Sequence, residues 1–313
     1  MNNTEFVLWA YRVLLQREPD PAGEQVWCDQ LDRGLARNAL VKGFLGSNEY
    51  SGRFDRDQVV ETNVSTGGVS FRIGSREDDI AVGHAIQKSG QHEPWVTSHF
   101  LAAIKPASTV VDIGANLGWY TMLAAAKTLH HGRVVAFEPL PDNVQLLLAN
   151  ARLNDFKHVT CYPVALGEHN EVLSIETGSG SNAAIVQDVD VFGRFCQVVA
   201  AREALQNIGH FDVLKIDIEG YEPIVFRSAS EVLRQKRPTM FVEYHPWVIN
   251  RRGLSIEEFN EQLFSFDMSI RVMHHDGSTP HVRNSTELAA QHARINDEAK
   301  EDGRIHLDLL LTP

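Results

Sequence analysis

The nine residues from Val110 to Gly118, VVDIGANLG, decide the fold. Apolar residues lead up to Asp112, as they do in a strand that is buried on both faces, and glycines follow. Gly114 and Gly118 allow the chain to turn sharply and bring bare backbone against a ligand. A buried strand, a glycine loop and then a helix predict the first unit of a Rossmann-like α/β domain.

Short β-rich runs continue after this loop, and helical stretches separate most of them. This alternation predicts a mainly parallel, seven-stranded sheet with helices on both faces. The longer segment 171–201, which is rich in Ser and Gly in places, is interpreted as inserted strands or a loop beside the binding site. The β-rich runs are RVVAFEP (133–139), HVTCYPVALG (158–167), FDVLKIDIEG (211–220) and PTMFVEYHP (238–246).

The N-terminal part of the chain predicts a separate, small all-α domain over residues 1–57. Its apolar residues recur at helical spacing, and the run REPDPAG (17–23) is a turn because two prolines and a glycine cannot continue a helix. The polar segment 55–68, which ends in STGG, is interpreted as a linker. The Rossmann-like domain is then expected over residues 58–313.

Composition and charge narrow the class of protein. The 313 residues carry a formal net charge of −12, which argues against a nucleic-acid partner because such proteins usually present a basic surface. The three cysteines lack paired spacing, which favours a reducing compartment over a disulfide framework. Because we find no signal peptide and no apolar run of about 18 residues, we expect a soluble, cytoplasmic protein.

The glycine loop departs from the pattern that binds dinucleotides. Asn116 and Trp119 stand where G-x-G-x-x-G would place its second and third glycines. Asp112 offers a carboxylate to the ammonium of an amino-acid moiety, which suits the cationic S-adenosylmethionine. Glu138 ends the next strand, where a carboxylate can accept hydrogen bonds from ribose hydroxyls, and Asn143 follows a turn later. The alternatives are that Asp112 caps a helix and that Glu138 is a surface acid.

Five segments together resemble the FkbM family of methyltransferases: VVDIGANLGWYT, VVAFEPLPDN, VALGE, LKIDIEGYE and FVEYHP. The resemblance covers about residues 69–250. It implies S-adenosylmethionine as methyl donor and O-methylation of hydroxyls on sugars or polyketide-like metabolites. It also implies an adenine-side loop at Ala165 and Leu166, and a Glu-Pro pair before the first Rossmann helix, matched by Glu93-Pro94. The candidate cofactor-binding residues are Glu93, Asp112, Gly114, Ala115, Asn116, Gly118, Glu138, Pro139, Asn143, Ala165, Leu166 and Asp217.

The helical N-terminal segment resembles a different group. YRVLLQREPDPAGEQVW (11–27) and FLGSNEY (44–50) are similar to a bacterial domain of unknown function that is distantly similar to phycobilisome linker domains. This resemblance implies a module that binds a protein or glycan partner. The alternative is a packing element with no site of its own.

The reacting groups are expected at the ends of two strands. The period of two sends Lys215, Asp217 and Glu219 to one side, and Glu243 and His245 share a side. If the strands are neighbours, these groups face the sulfonium. An alcohol needs a base to remove its proton, and the ordinary pKa of histidine suits this best, so His245 is the first candidate. Asp217 or Glu219 could serve if its pKa is raised.

A divalent metal held by carboxylates is a third way to activate an alcohol. No compact ligand motif such as H-E-x-x-H occurs, so a metal is not favoured and no metal ligands are assigned. The acceptor is expected to be a hydroxyl of a sugar, glycan or metabolite. Candidate acceptor contacts are Trp95, Trp119, Ser179, Ser181, Asn182 and Trp247.

Two other functions stay open from the sequence. A nicotinamide-dependent oxidoreductase would use the same Rossmann architecture, although Asn116 counts against it. A non-catalytic binding module, recruited through the helical domain, is the other, and the intact acidic and glycine positions count against it.

Overall fold

The computed structural model describes residues 2–15, 17–45, 47–51, 59–177, 183–186, 194–300 and 304–313. Over these ranges the chain forms a small helical unit, a β-hairpin, a large α/β core and a second, smaller sheet. All three cysteines are free thiols, as their spacing predicts. No helix in the described ranges is long and apolar enough to cross a membrane.

The helical unit has its own apolar core. Its first helix begins with a capping box, in which the Asn2 side chain accepts from the Glu5 N–H and the Glu5 carboxylate accepts from the Asn2 N–H. The second begins at Pro21, after Asp20 caps it. The helices are α1 (Asn3–Leu14), α2 (Pro21–Asp32), α3 (Arg37–Leu45) and α4 (Asn48–Ser51). The core residues are Val7, Ala10, Tyr11, Leu15, Leu31, Leu40 and Phe44.

The main sheet confirms the expected architecture. Its described strands are β3 (Thr109–Ile113), β4 (Arg133–Phe137), β5 (Val159–Tyr162), β10 (Val213–Ile216), β11 (Thr239–Tyr244), β12 (Ser269–Met273), β13 (His281–Val282) and β14 (Leu307–Thr312). They lie in the order β13-β12-β14-β11-β10-β3-β4-β5. Strands β5, β4, β3, β10 and β11 are parallel, and β14 runs antiparallel between β11 and β12. The two-residue β13 adds an eighth strand at the edge.

Helices cover both faces of this sheet. They are α5 (Gly83–Ser89), α6 (Pro94–Ala103), α7 (Trp119–Thr128), α8 (Pro141–Leu153), α9 (Ala201–Ile208), α10 (Glu222–Lys236), α11 (Pro246–Arg251), α12 (Ile256–Phe264) and α13 (Ser285–Ala299). One face packs mainly against α6 and α7, and the other against α10 and α12. The central strands β3, β4, β10 and β11 are buried on both sides, which explains their continuous apolar centres.

The inserted segment forms a second sheet beside the core. Its strands are β6 (Ala165–Gly167), β7 (Glu171–Thr177), β8 (Ala183–Val186) and β9 (Arg194–Ala200), in the order β6-β9-β7-β8. The helical unit lies against β9, where Trp9 Nε1 donates to Gln197 Oε1 over 2.9 Å. Arg12 stacks on the Phe195 ring with 5.4 Å between the guanidinium carbon and the ring centroid.

The expected linker at 55–68 is wrong for its described part. Val59–Thr66 is strand β1, and it pairs antiparallel with β2 (Val69–Arg76) in a hairpin. Gly67 and Gly68 both have positive φ, which a two-residue hairpin turn requires. In the STGG run, Ser65 and Thr66 end strand β1 and the two glycines form the hairpin turn, while alternating residues of β2 pack on the core.

One buried amide ties this hairpin to the glycine loop. Asn150 on α8 accepts from the Gly74 N–H over 2.7 Å and donates to the Gly74 carbonyl over 3.0 Å. The same amide donates to the carbonyl of Leu117 over 2.9 Å. Because each of these partners is main chain, Asn150 fixes the loop position independently of neighbouring side chains.

Candidate active site

A cavity of about 370 Å³ opens at the carboxyl ends of the parallel strands, where ligands bind in open α/β sheets. The glycine loop, the end of β4 and the ends of β10 and β11 contribute its polar wall. Its lining residues are Ala81, Val82, His92, Glu93, Gly114, Ala115, Asn116, Leu117, Trp119, Tyr120, Glu138, Pro139, Asn143, Ile175, Asp217, Ile218, Glu219, Glu243, His245 and His306.

The glycine loop is shaped by contacts to its neighbouring strands. The N–H groups of Gly114 and Ala115 both donate to the carbonyl of Phe137, over 2.9 and 3.1 Å. Gly114 has a φ of +81°, and a Cβ there would lie 1.8 Å from the carbonyl oxygen of Asp217. Glycine is thus required at 114 by the adjacent β10 turn as well as by backbone conformation.

Glu138 holds the loop from the end of β4. One carboxylate oxygen accepts from the Asn116 N–H over 2.8 Å, and the other accepts from the Leu140 N–H and the Asn143 amide. Burial raises the pKa of Glu138 to about 7, against the lowering effect of these donors. The alternative of a surface acid is wrong, since Glu138 is buried.

Asp112 lies beneath the cavity and outside its wall. Its carboxylate accepts from the Thr121 hydroxyl over 2.6 Å, and burial raises its pKa to about 6. Asp112 is therefore placed to hold helix α7 against the glycine loop. This position is closer to the capping alternative than to direct contact with a ligand.

Lys215, which is buried beneath the cavity, forms an ion pair with Asp217 on the cavity wall. Lys215 is 1% exposed, and its Nζ lies 2.8 Å from Asp217 Oδ2. Burial alone would lower the pKa of Lys215, but the carboxylate of Asp217, with Glu93 and Asp308, holds it raised. Burial likewise opposes ionisation of Asp217, and Lys215 nevertheless holds its pKa below the ordinary value. Both groups are charged near neutral pH.

The row of acids continues across the sheet. Strands β10 and β11 are parallel neighbours, as expected, and Glu243 on β11 pairs in register with Asp308 on β14. The three carboxyl groups of Asp217, Glu243 and Asp308 therefore share one face. Burial, followed by the charge of Asp217, raises the pKa of Glu243 well above its ordinary value. Burial and then Glu93 raise the pKa of Asp308 to about 6.

The pKa values of Glu219 and His245 are shifted in opposite directions. Burial and the nearby Asp217 raise the pKa of Glu219 to about 7. Burial and the nearby His306 lower the pKa of His245 to about 4, so the imidazole is a weak base. The ordinary pKa that made His245 the first candidate base is therefore lowered in the structure, mainly by burial. Glu219 also has a φ of +56°, and such backbone strain recurs at functional sites.

A family profile, the methyltransferase FkbM domain, matches residues 112–278, which is just over half of the chain. The chain belongs to the FkbM methyltransferase family. A second profile, a domain of unknown function (DUF4214), matches residues 1–54. Family membership supports methyl transfer with S-adenosylmethionine as the donor.

Solved structures show only distant likeness. An FkbM methyltransferase from Methylobacillus flagellatus KT is 16% identical with a TM-score of 0.42, over 96% of this chain and 58% of that one. The chain thus spans less than two thirds of that structure. M. jannaschii TYW2 in complex with AdoMet is 13% identical with a TM-score of 0.36, over 80% of this chain and 84% of that one. No curated protein sequence matches the chain significantly.

Most of the predicted site residues line one cavity. The predicted residues on its wall are Glu93, Gly114, Ala115, Asn116, Glu138, Pro139, Asn143, Asp217, Glu219, Glu243 and His245. The predicted residues behind the wall are Asp112, Gly118, Ala165, Leu166 and Lys215. Gly118 caps α7 with a φ of +98°. Ser179, Ser181 and Asn182 lie outside the described residues.

Sequence reasoning missed part of the wall. Tyr120 donates to Glu93 Oε2 over 2.5 Å, His92 Nε2 lies 3.7 Å from Glu93 Oε1, and His306 Nδ1 lies 3.8 Å from Glu243 Oε1. A usable signal existed for the last strand, where HLDLLL alternates and puts His306 and Asp308 on one side. Ile175 lies in strand β7 of the second sheet, and no local sequence pattern identifies it as a residue of the cavity wall.

Proposed function

We propose that this protein transfers a methyl group from S-adenosylmethionine to a hydroxyl of a sugar, a glycan or a secondary metabolite. The observation that carries the proposal is a single cavity in which the glycine loop and Glu138 face a row of acids. Asp217, Glu219 and Glu243 stand at the end where a sulfonium would lie. A cationic donor suits this negative wall, and the family supports the class of reaction.

The chemical step is an in-line displacement. The acceptor oxygen forms a bond to the methyl carbon while the carbon–sulfur bond breaks, and its electron pair stays on sulfur to leave S-adenosylhomocysteine. The enzyme contributes mainly by aligning oxygen, carbon and sulfur. We assign the acceptor proton to the carboxylate of Glu219, whose pKa of about 7 suits a general base at neutral pH.

The surface next to the cavity supplies groups suited to a polar acceptor. Trp247 is 37% exposed, and Arg251 and Arg304 stack on its ring. The centroid of this ring lies 6.3 Å from that of His245, which lines the cavity, so its exposed part is suited to packing on a sugar face. Trp95 is already stacked on His275, with 3.7 Å between ring centroids, and Trp119 is buried. We therefore assign acceptor stacking to Trp247.

Cofactor binding is tested by titrating S-adenosylhomocysteine in a calorimeter. We expect Gly114→Ala to weaken binding by more than about tenfold, roughly 1.4 kcal/mol, because the new Cβ collides with the Asp217 carbonyl and displaces the loop. Gly209→Ala is the matched control, since Gly209 also has positive φ but no atom lies near its Cβ position. Equal affinities for wild type and Gly114→Ala would contradict the assigned site.

The reaction class is tested with labelled S-adenosylmethionine and panels of sugars, glycan extracts, phenols and peptides. Label in a carbohydrate or metabolite hydroxyl is the expected result. Saturable binding of NAD without binding of S-adenosylhomocysteine would favour the oxidoreductase instead. Binding without transfer to any panel member would favour a non-catalytic module. Transfer to peptides alone would contradict the proposal that the acceptor is a hydroxyl of a sugar, a glycan or a secondary metabolite.

We also propose that residues 1–57 are a separable domain, which binds a protein or glycan partner in the cytoplasm. The helical unit has its own core, and its described contacts with β9 include the Trp9–Gln197 hydrogen bond and Arg12 over the Phe195 ring. A protein of residues 58–313 is expected to fold and to bind S-adenosylhomocysteine within about threefold of the full chain, a difference of about 0.7 kcal/mol. An insoluble or non-binding product would mean that the two parts share one folding unit.

A further inference from the structure

Three side chains from distant parts of the sequence meet at the edge of the cavity. They are Glu93 before α6, His306 before β14 and Asp308 within β14. One ligand atom from each lies within 4.8 Å of the others. Metal–ligand bonds of about 2.0–2.2 Å put opposite ligands roughly 4 Å apart, so a small side-chain movement would let all three reach one ion.

A fourth carboxyl group, that of Glu243, lies beside this cluster. Glu243 is 8% exposed, and its Oε2 accepts from no N–H or O–H donor among the described residues, while its carboxyl group lies beside that of Asp217. Its Oε1 lies 3.8 Å from His306 Nδ1, and its strand register places it beside Asp308 on the same face. A buried carboxylate oxygen without a donor is costly, and a bound cation would satisfy it.

Carboxyl groups outnumber positive charges around this cluster. Lys215 makes its ion pair with Asp217, and the imidazoles of His306 and His92 lie beside Glu243 and Glu93. Tyr120 donates to Oε2 of Glu93, whose Oε1 lies 3.7 Å from His92 Nε2, and Trp95 donates to Oδ2 of Asp308. These contacts orient the two carboxyl groups.

We propose that Glu93, His306 and Asp308, with Glu243 beside them, bind one divalent cation at the mouth of the cavity. Carboxylate oxygens suit hard ions such as Mn²⁺, and an imidazole nitrogen favours transition metals over Mg²⁺ and Ca²⁺. Mn²⁺ satisfies both ligand types. If the proposed methyl transfer is correct, the ion stands where it can bind the acceptor hydroxyl and lower its pKa.

The test uses Mn²⁺ alone, without cofactor, and the full-length protein. Calorimetry and the electron paramagnetic resonance signal of free Mn²⁺ report binding. We expect one saturable site per chain, weakened at least about tenfold, or 1.4 kcal/mol, in both His306→Gln and Asp308→Asn. Asparagine can still accept from Trp95 Nε1, which lies 2.8 Å from Asp308 Oδ2, so this variant is expected to fold.

Two matched controls carry the same chemical changes elsewhere. His281→Gln and Asp155→Asn alter exposed residues and are expected to bind Mn²⁺ as the wild type does. No saturable binding by wild type, or equal binding by all variants, would overturn the metal site. The affinity of the same variants for S-adenosylhomocysteine is measured in a separate titration. Mn²⁺ binding without methyl transfer would contradict the proposed function and leave the metal site standing.

Discussion

Asp217→Ala is expected to lower the free energy of unfolding by about 3 kcal/mol. Removing one member of a buried ion pair strands the other charge, at a typical cost of about 3–5 kcal/mol. We place this pair at the lower end because Asp217 is 30% exposed, whereas Lys215 is 1% exposed. In the variant the carboxylate that most raises the pKa of Lys215 is gone, so the buried lysine either stays charged without its nearest partner or loses its proton, and both outcomes cost stability. Urea denaturation measures the change.

Two further variants distinguish the loss of stability caused by a buried, unpaired lysine from the effect of removing a surface charge. Asp155→Asn breaks an ion pair with Lys157 in which both side chains are at least 80% exposed, and little change is expected. Lys215→Met combined with Asp217→Ala removes the stranded ammonium, so part of the stability should return. An Asp217→Ala protein as stable as the wild type would show that Lys215 has an adequate second partner.

The sequence predicted the sheet and the position of the glycine loop well because both rest on local patterns. The strand, the glycines and the acid of VVDIGANLG are adjacent in sequence, and the structure places this loop at the cavity. The prediction that the strands carrying Asp217 and Glu243 are neighbours is confirmed by the pairing of β10 with β11. Strand order here follows from the regular alternation of strands and helices.

Local patterns failed where partners are distant in sequence. Strand β1 resembled a linker because most of its residues are polar and exposed, and only its pairing with β2 shows it to be a strand. The pKa values of His245 and Glu219 depend on burial by several elements, which no spacing reveals. The cluster of Glu93 and His306 joins residues more than two hundred positions apart.

Asp112 shows a subtler limit. An acid at the end of the first strand was assigned to the cofactor because of its position. The structure buries its carboxylate against Thr121, which itself lies in the first turn of α7. Position in sequence thus identified a residue that matters to the loop, while the distinction between contact and support required the three-dimensional packing.

Glu219→Gln is expected to lower kcat by about 10²–10⁴-fold, the usual contribution of a general base. The amide cannot take the acceptor proton. In the wild type, kcat/KM should rise with pH through about 7, because below this value Glu219 is protonated and cannot act as a base. This limb should be absent from the residual activity of Glu219→Gln. The charged groups that bear on Glu219 are Asp217, Lys215, Glu243, Arg252 and His306.

His245→Gln is the control that decides between the two candidate bases. The pKa of His245 is about 4, so the imidazole is neutral throughout an assay between pH 5.5 and about 9 and contributes no ionisation there. The limb near pH 7 should therefore persist in His245→Gln, whatever the change in rate. Calorimetric affinity for S-adenosylhomocysteine checks that both variants keep the cofactor site. If the limb persisted in Glu219→Gln and vanished in His245→Gln, the proton would have to pass to the histidine, and the assignment of Glu219 would be wrong.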